Sequence, residues 1–250
     1  MTQSPAIALT DVSKVYANRT VALSGVNLAI ARSQFVSLVG PSGCGKSTIL
    51  KLISGLSRIS SGHINWDDAD LKEHLAFVFQ DAALMPWATV WDNVGLPLKL
   101  AGLSYRQARP AIAHGLKLVD LEGFERAYPR QLSGGMKMRV SIARALVTEP
   151  SFLLMDEPFG ALDELTRSRL NSDLLHLWEN QQWTVLFVTH NIYEAVYLSQ
   201  RVVVMASHPG RVVADIPIDA PYPRTAEFRM SPDFMEYCRA VSTALAEAMA

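Results

Sequence analysis

At 250 residues the chain can bury a large core, which excludes a small fold that depends on disulfides or a structural metal. Hydrophobic residues at 49% against charged residues at 19% exclude a disordered chain and describe a somewhat apolar globular protein whose surface calls for a partner. A formal net charge of -1, with no long run of like charges, removes the electrostatic footprint of a nucleic-acid binder, so no nucleic-acid partner is expected.

Cys44 and Cys238 lie far apart without metal-ligand spacing, as suits a reducing compartment. The opening stretch MTQSPAIALTDVSKVY lacks a basic region followed by an apolar core. No apolar run reaches the ~18 residues of a membrane span. The expectation is a cytosolic chain that does not itself cross a bilayer.

In chain order, IALTDVSKVY, TVALSGVNLAI and QFVSLVG are short apolar runs with β-branched residues and polar breaks, the pattern of strands. KSTILKLISGL places Ile49, Leu50, Leu52, Ile53 and Leu56 on one helical face, and SRISSG supplies turn residues. GHINW and HLAFVFQ are further strands. TVWDNVGLPLKLAG and SYRQARPAIAHGLKLVDL are helical segments in which Pro110 either opens or kinks a helix.

Helix follows over 133–147. SFLLMDEP and WTVLFVTH are strands whose near-continuous apolar runs require cover on both faces, with a long helix, DELTRSRLNSDLLHLWENQ, between them. Strand alternating with helix implies an α/β fold with a parallel sheet. RVVVMAS and GRVVADIPI form a hairpin about 208–210. In the last helix Ser231 is the N-cap, Pro232 comes first, and Phe234, Cys238, Val241 and Leu245 share a stripe.

GPSGCGKST, from Gly40 to Thr48, matches G-x-x-x-x-G-K-[ST] through Gly40, Gly45, Lys46 and Ser47. Inward-pointing backbone N–H groups at a helix N-terminus make an anion cradle. Lys46 can reach terminal phosphates, and the Ser47 hydroxyl can ligate magnesium. FLLMDEP supplies the acids such a site needs: Asp156 for the metal shell, and Glu157 to polarise water against a γ-phosphate. LSGGM places Ser133, Gly134 and Gly135 at a second helix start with free N–H donors, where an ordinary N-cap is the plain alternative.

LSGGM followed by FLLMDEP resembles the ATP-binding cassette family, over roughly residues 6 to 220. The resemblance implies a P-loop NTPase fold in a single domain, 1–250, with a RecA-like core and an antiparallel β subdomain. It also implies a helical subdomain over about 85–145 and a C-terminal helical tail over 225–250. It implies ATP hydrolysis with Mg2+, the nucleotide held by Gly40, Pro41, Ser42, Gly43, Cys44, Gly45, Lys46, Ser47 and Thr48.

By the same resemblance Tyr16 stacks on adenine, Gln80 joins the metal and water shell, and His190 contacts the γ-phosphate. Lys46, Glu157 and His190 are then catalytic, and Ser47, Gln80 and Asp156 serve the metal. Asp163 communicates across a head-to-tail dimer in which Ser133, Gly134 and Gly135 bind the ATP of the opposite copy. Three positions depart from the pattern: Met136 and Met138 where glutamines are usual, and Asn191 where aspartate is common.

Leu84, Met85, Trp87 and Trp91 make the segment after Gln80 unusually apolar, either a satellite core or a docking surface for the coupling helices of a membrane permease. LSGGM, EPFGALDELTR and HPGRVVADIPIDAPYPR resemble the importer branch for nitrate, sulfonate and taurine. That resemblance implies peripheral attachment at the cytoplasmic face of the plasma (inner) membrane and, indirectly, a solute-binding protein. The alternative is a cassette ATPase acting on DNA or ribosomes, whose second cassette or coiled-coil insertion this sequence lacks. A GTPase or small-molecule kinase leaves LSGGM unexplained.

Overall fold

The computed structural model describes residues 4–249. Strands β1 (Pro5–Val15), β2 (Val21–Ala31) and β4 (Ser61–Trp66) form an antiparallel sheet in the order β2-β1-β4. Chain between them makes β3 (Phe35–Val39) and α1 (Lys46–Ile53). Helix α2 (Ala69–Glu73) and β5 (Leu75–Val78) lead into three helices, α3 (Val90–Leu100), α4 (Tyr105–Leu118) and α5 (Gly134–Leu146), which pack on one another. The rest comprises β6 (Phe152–Asp156), α6 (Glu164–Gln181), β7 (Thr184–Val188), α7 (Ile192–Leu198), β8 (Arg201–Ala206), β9 (Arg211–Pro217), α8 (Ala226–Arg229) and α9 (Pro232–Met249).

The second sheet runs β5-β6-β7-β3-β8-β9, parallel through β8, with β9 antiparallel at its edge. β3 and β7 are buried at every position, as strands covered on both faces must be. Alternate residues point to opposite faces. Phe35, Leu153, Met155, Val185 and Phe187 enter the core shared with α3–α7 and α9. Val36, Leu38, Leu154, Leu186 and Val188 enter the core shared with α1 and the antiparallel sheet.

Three local points separate the sequence reading from the structure. Helix α1 stops at Ile53 because Gly55 turns left-handed at φ 76°, so Leu56 leaves the apolar face and is 63% exposed. Of the two alternatives for Pro110, opening the helix is excluded: it sits inside α4, which the capping box of Ser104 and Gln107 starts. Helices α2 and α7 are too short to show a helical period and were not visible in the apolar pattern; Asp68 and Asn191 cap them.

The C-terminal tail is tied down by a buried guanidinium. Arg224 donates to the carbonyls of Val196, Tyr197 and Ser199 at the end of α7 and to those of Ile218 and Ala220. Its cation complements the negative end of that helix. Ser231 accepts the Phe234 N–H as the N-cap of α9, and Phe234, Cys238 and Val241 are buried on the expected stripe.

Candidate functional site

The glycine loop joins β3 to α1 at the C-terminal end of a central parallel strand, where open α/β sheets bind ligands. Gly43 and Gly45 hold φ of 80° and 97°, left-handed values that glycine adopts without steric cost. At Gly45 a Cβ would lie 2.4 Å from Leu23 Cδ2, and at Gly40 one would lie 2.7 Å from the Met205 carbonyl oxygen. Gly45 is the N-cap of α1 and brings no side chain to it, so the amides of the first turn have no side-chain cap.

Lys46 is only 6% exposed, and its ammonium donates to the Gly40 carbonyl at 2.8 Å and the Pro41 carbonyl at 3.1 Å. The cation thus lies folded over the loop that carries it. Next along α1, Ser47 Oγ donates to Asp156 Oδ1 at 2.9 Å, linking the first turn of the helix to the last residue of β6. Burial pushes the Asp156 carboxyl above the usual carboxylate range; the Ser47 hydrogen bond opposes this, and the Glu157 charge adds to it.

Glu157 is the first residue past β6 and holds φ 45°, a left-handed backbone that a non-glycine residue adopts at a cost. Its N–H donates to Val188 at the end of β7 (2.9 Å), and its Oε2 lies 3.1 Å from His190 Nδ1. Adjacent strand ends therefore bring Glu157 and His190 together across 33 residues of sequence. Gln80 is exposed two residues past Val78, whose register partner is Met155, so it leaves the same end of the sheet beside the acids.

Tyr16 is partly exposed; its hydroxyl lies 3.3 Å from Thr48 Oγ1, and the Lys14 ammonium sits 5.1 Å from its ring. The ring is thereby held to the first turn of α1. Asp163 caps α6 by accepting the Thr166 N–H at 3.0 Å, which holds its carboxyl below the usual range.

Ser133, Gly134 and Gly135 stand elsewhere. Ser133 caps α5, accepting the Met136 N–H at 3.3 Å, and both it and Gly134 are exposed. Gly135 faces α6 so closely that a Cβ would meet Thr166 Cγ2 at 2.8 Å. A pocket of about 320 Å³ opens between this tip, α6 and the chain around Leu121. Among the described residues no hydrogen bond joins 133–135 to the glycine loop of the same chain.

Two of the three departures from the family pattern find physical places. Met138 is buried in the main core, where a thioether packs without needing a partner. Asn191 caps α7 through its Oδ1, which accepts the Glu194 N–H at 3.1 Å, a task an aspartate performs equally. Leu84 and Trp91 pack against the main core, while Trp87 is 76% exposed, so the apolar segment divides between core and surface.

Two arginines that motif spacing does not reveal brace these loops. Arg144 of α5 donates to the carbonyls of Ala82 (2.8 Å) and Ala83 (3.0 Å), just past Gln80. Arg167 of α6 donates to Phe159 and Leu162 in the loop between Glu157 and Asp163. Their partners are backbone oxygens, which any residue offers, so no side-chain pattern could announce the pairings.

The model of the ABC transporter family matches residues 23–160, more than half of the chain. A Brucella abortus chain named as an ATP-binding protein is 47% identical over 233 residues, covering 92% of this chain and 89% of that one. The aliphatic sulfonates import ATP-binding protein SsuB of Bacillus cereus is 42% identical over 225 residues, covering 88% of each.

Among solved structures, a dimeric bacterial ABC transporter cassette superposes with a TM-score of 0.74 at 35% identity, covering 86% of this chain and all of that one. The same cassette has been solved as a dimer in a post-hydrolysis state with ADP and phosphate. With this sheet order, this loop and these relatives, the chain belongs to the ABC transporter family, as one of its ATP-hydrolysing nucleotide-binding cassettes.

Proposed function

We propose that two copies of this chain close head to tail over two ATP molecules and that the closure drives a permease importing a small anion such as a sulfonate, taurine or nitrate. The observation that carries the importer reading is the 42% identity, over 88% of the chain, with an aliphatic sulfonates import ATP-binding protein.

The amides of the glycine loop and the uncapped start of α1 receive the phosphates, and Lys46 turns from its own carbonyls to the terminal ones. Tyr16 offers its exposed ring to adenine. Ser47 and Asp156 are hard oxygen donors already 2.9 Å apart, a sparse set of the kind Mg2+ uses when phosphates supply further ligands. When bound there, Mg2+ would neutralise phosphate charge, and Gln80 would border its shell.

Glu157 takes the proton of the attacking water, and His190, hydrogen-bonded to it, faces the γ-phosphate. The tip formed by exposed Ser133 and Gly134, with Gly135 buried behind them, completes the opposite copy's site, and Asp163, on the neighbouring helix, relays between the two. In the same scheme the exposed Trp87 and a groove of about 720 Å³ between Trp91, Tyr105 and Arg126 receive the permease. Asn93, fully buried, supports this by donating to the carbonyls of Met85, Ala88 and Thr89 and so fixing the segment from which Trp87 projects.

No helix among the described residues is long and apolar enough to cross a membrane. Attachment at the cytoplasmic face of the inner membrane, through the permease, belongs to the importer reading and is supported by the likeness to an import ATP-binding protein. Affinity purification from native membranes should recover a multispanning protein with the chain, and deleting the gene should abolish growth on one of these anions as sole nutrient source. Recovery without any membrane partner, or growth unchanged on all of them, would overturn the importer reading.

A further inference from the structure

Behind His190 lies a carboxyl that none of these steps uses. Glu194, in the first turn of α7, is 5% exposed. The Thr189 hydroxyl donates to its Oε2, and the same hydroxyl oxygen accepts the Asn191 N–H at 3.0 Å. Asn191 Oδ1 in turn accepts the Glu194 N–H at 3.1 Å. The residues on both sides of His190 are thereby locked to one buried side chain.

The arrangement is not the usual capping box. There the acid three residues past the N-cap accepts the N-cap N–H itself. Here the Thr189 hydroxyl is interposed, so the carboxyl holds the residue before His190 as well as the helix start. Glu194 Oε1 and Asn171 Oδ1, from α6, are both buried without a hydrogen-bond partner. A proton on Oε1 turns one of these acceptors into a donor, and burial raises the Glu194 carboxyl toward its acid form.

We propose that Glu194, acting through Thr189, is a positioning residue for ATP hydrolysis: it sets the His190 loop so that the imidazole stays within reach of the Glu157 carboxylate. This inference rests on the role given to His190 above.

The test is steady-state hydrolysis by the full chain together with the imidazole resonances of His190, assigned by their loss in His190→Gln. Glu194→Leu and Thr189→Val remove the link, and kcat should fall about tenfold while KM for ATP stays within about twofold, as for one lost buried hydrogen bond. The His190 resonances should move in both variants. Glu194→Gln and Thr189→Ser keep an acceptor and a hydroxyl, and should retain kcat within about twofold with His190 unmoved.

Equal losses in Glu194→Gln and Glu194→Leu would overturn the proposal, as would unmoved His190 resonances in Thr189→Val. Should Glu194→Leu fail to fold, Thr189→Val and Glu194→Gln carry the same test. Undiminished kcat in His190→Gln would sink the role of His190 alone, while the resonances still report whether Glu194 holds its loop.

Discussion

Helices α1 and α5 both begin with glycines and free amides, yet the two starts differ in what surrounds them. The start of α1 is enclosed: Leu23 and Met205 press on its glycines, Lys46 folds over it, and Asp156 meets Ser47. The start of α5 is capped by its own serine, exposed at Ser133 and Gly134, and, among the described residues, joined by no hydrogen bond to the first. In the proposed dimer, one is a site the chain builds for itself and the other a surface that meets a phosphate carried by the second copy.

Lys46→Ala tests the enclosed site and should have the largest effect. Losing the only loop cation should weaken ATP binding on the order of a hundredfold, as for charge-assisted bonds to phosphate, and equilibrium titration measures it. Ser133→Arg tests the exposed tip. Binding of ATP to the single chain should stay within about twofold while hydrolysis falls tenfold or more, since the bulk obstructs only an incoming partner. If Ser133→Arg weakened monomer binding as much as Lys46→Ala does, the division between the two starts would fail.

A smaller effect concerns the region behind His190. The folded-state carboxyl of Glu194 is raised by burial, with Thr189, Asn171, Arg167 and His190 opposing. As pH rises from acid through the ordinary carboxylate range, the unfolded chain ionises first, so this group costs stability that it does not cost in acid. Glu194→Gln should accordingly gain stability relative to wild type on going from mild acid to neutrality. Denaturant titrations at both ends check it, and a difference that shrank with rising pH would contradict the burial argument. Asn191→Asp should change least, within about 0.5 kcal/mol in stability and twofold in kcat, because either side chain caps α7.

Much of the molecule was legible in the sequence because its physics is local. FLLM and VLFV must be doubly covered strands, and the glycine pattern before Lys46 announces an anion-cradling loop at a helix start. The tail helix declared its cap and its stripe through Ser231, Phe234 and Val241. What escaped depends on partners that spacing does not encode. Arg144, Arg167 and Arg224 bind carbonyl oxygens, and Glu194 meets Asn171 only once α6 and α7 pack together. Leu56 was misplaced because the apolar stripe ran on past a glycine whose conformation, rather than hydrophobicity, ends the helix.

The head-to-tail closure of two copies over ATP is most directly tested by sedimentation of Glu157→Gln loaded with ATP, alone and combined with Ser133→Arg. Slowed hydrolysis should leave the single variant as a dimer, and the double variant should bind ATP yet remain monomeric. A single variant that stays monomeric with ATP bound, or a double variant that dimerises as readily, would contradict the account.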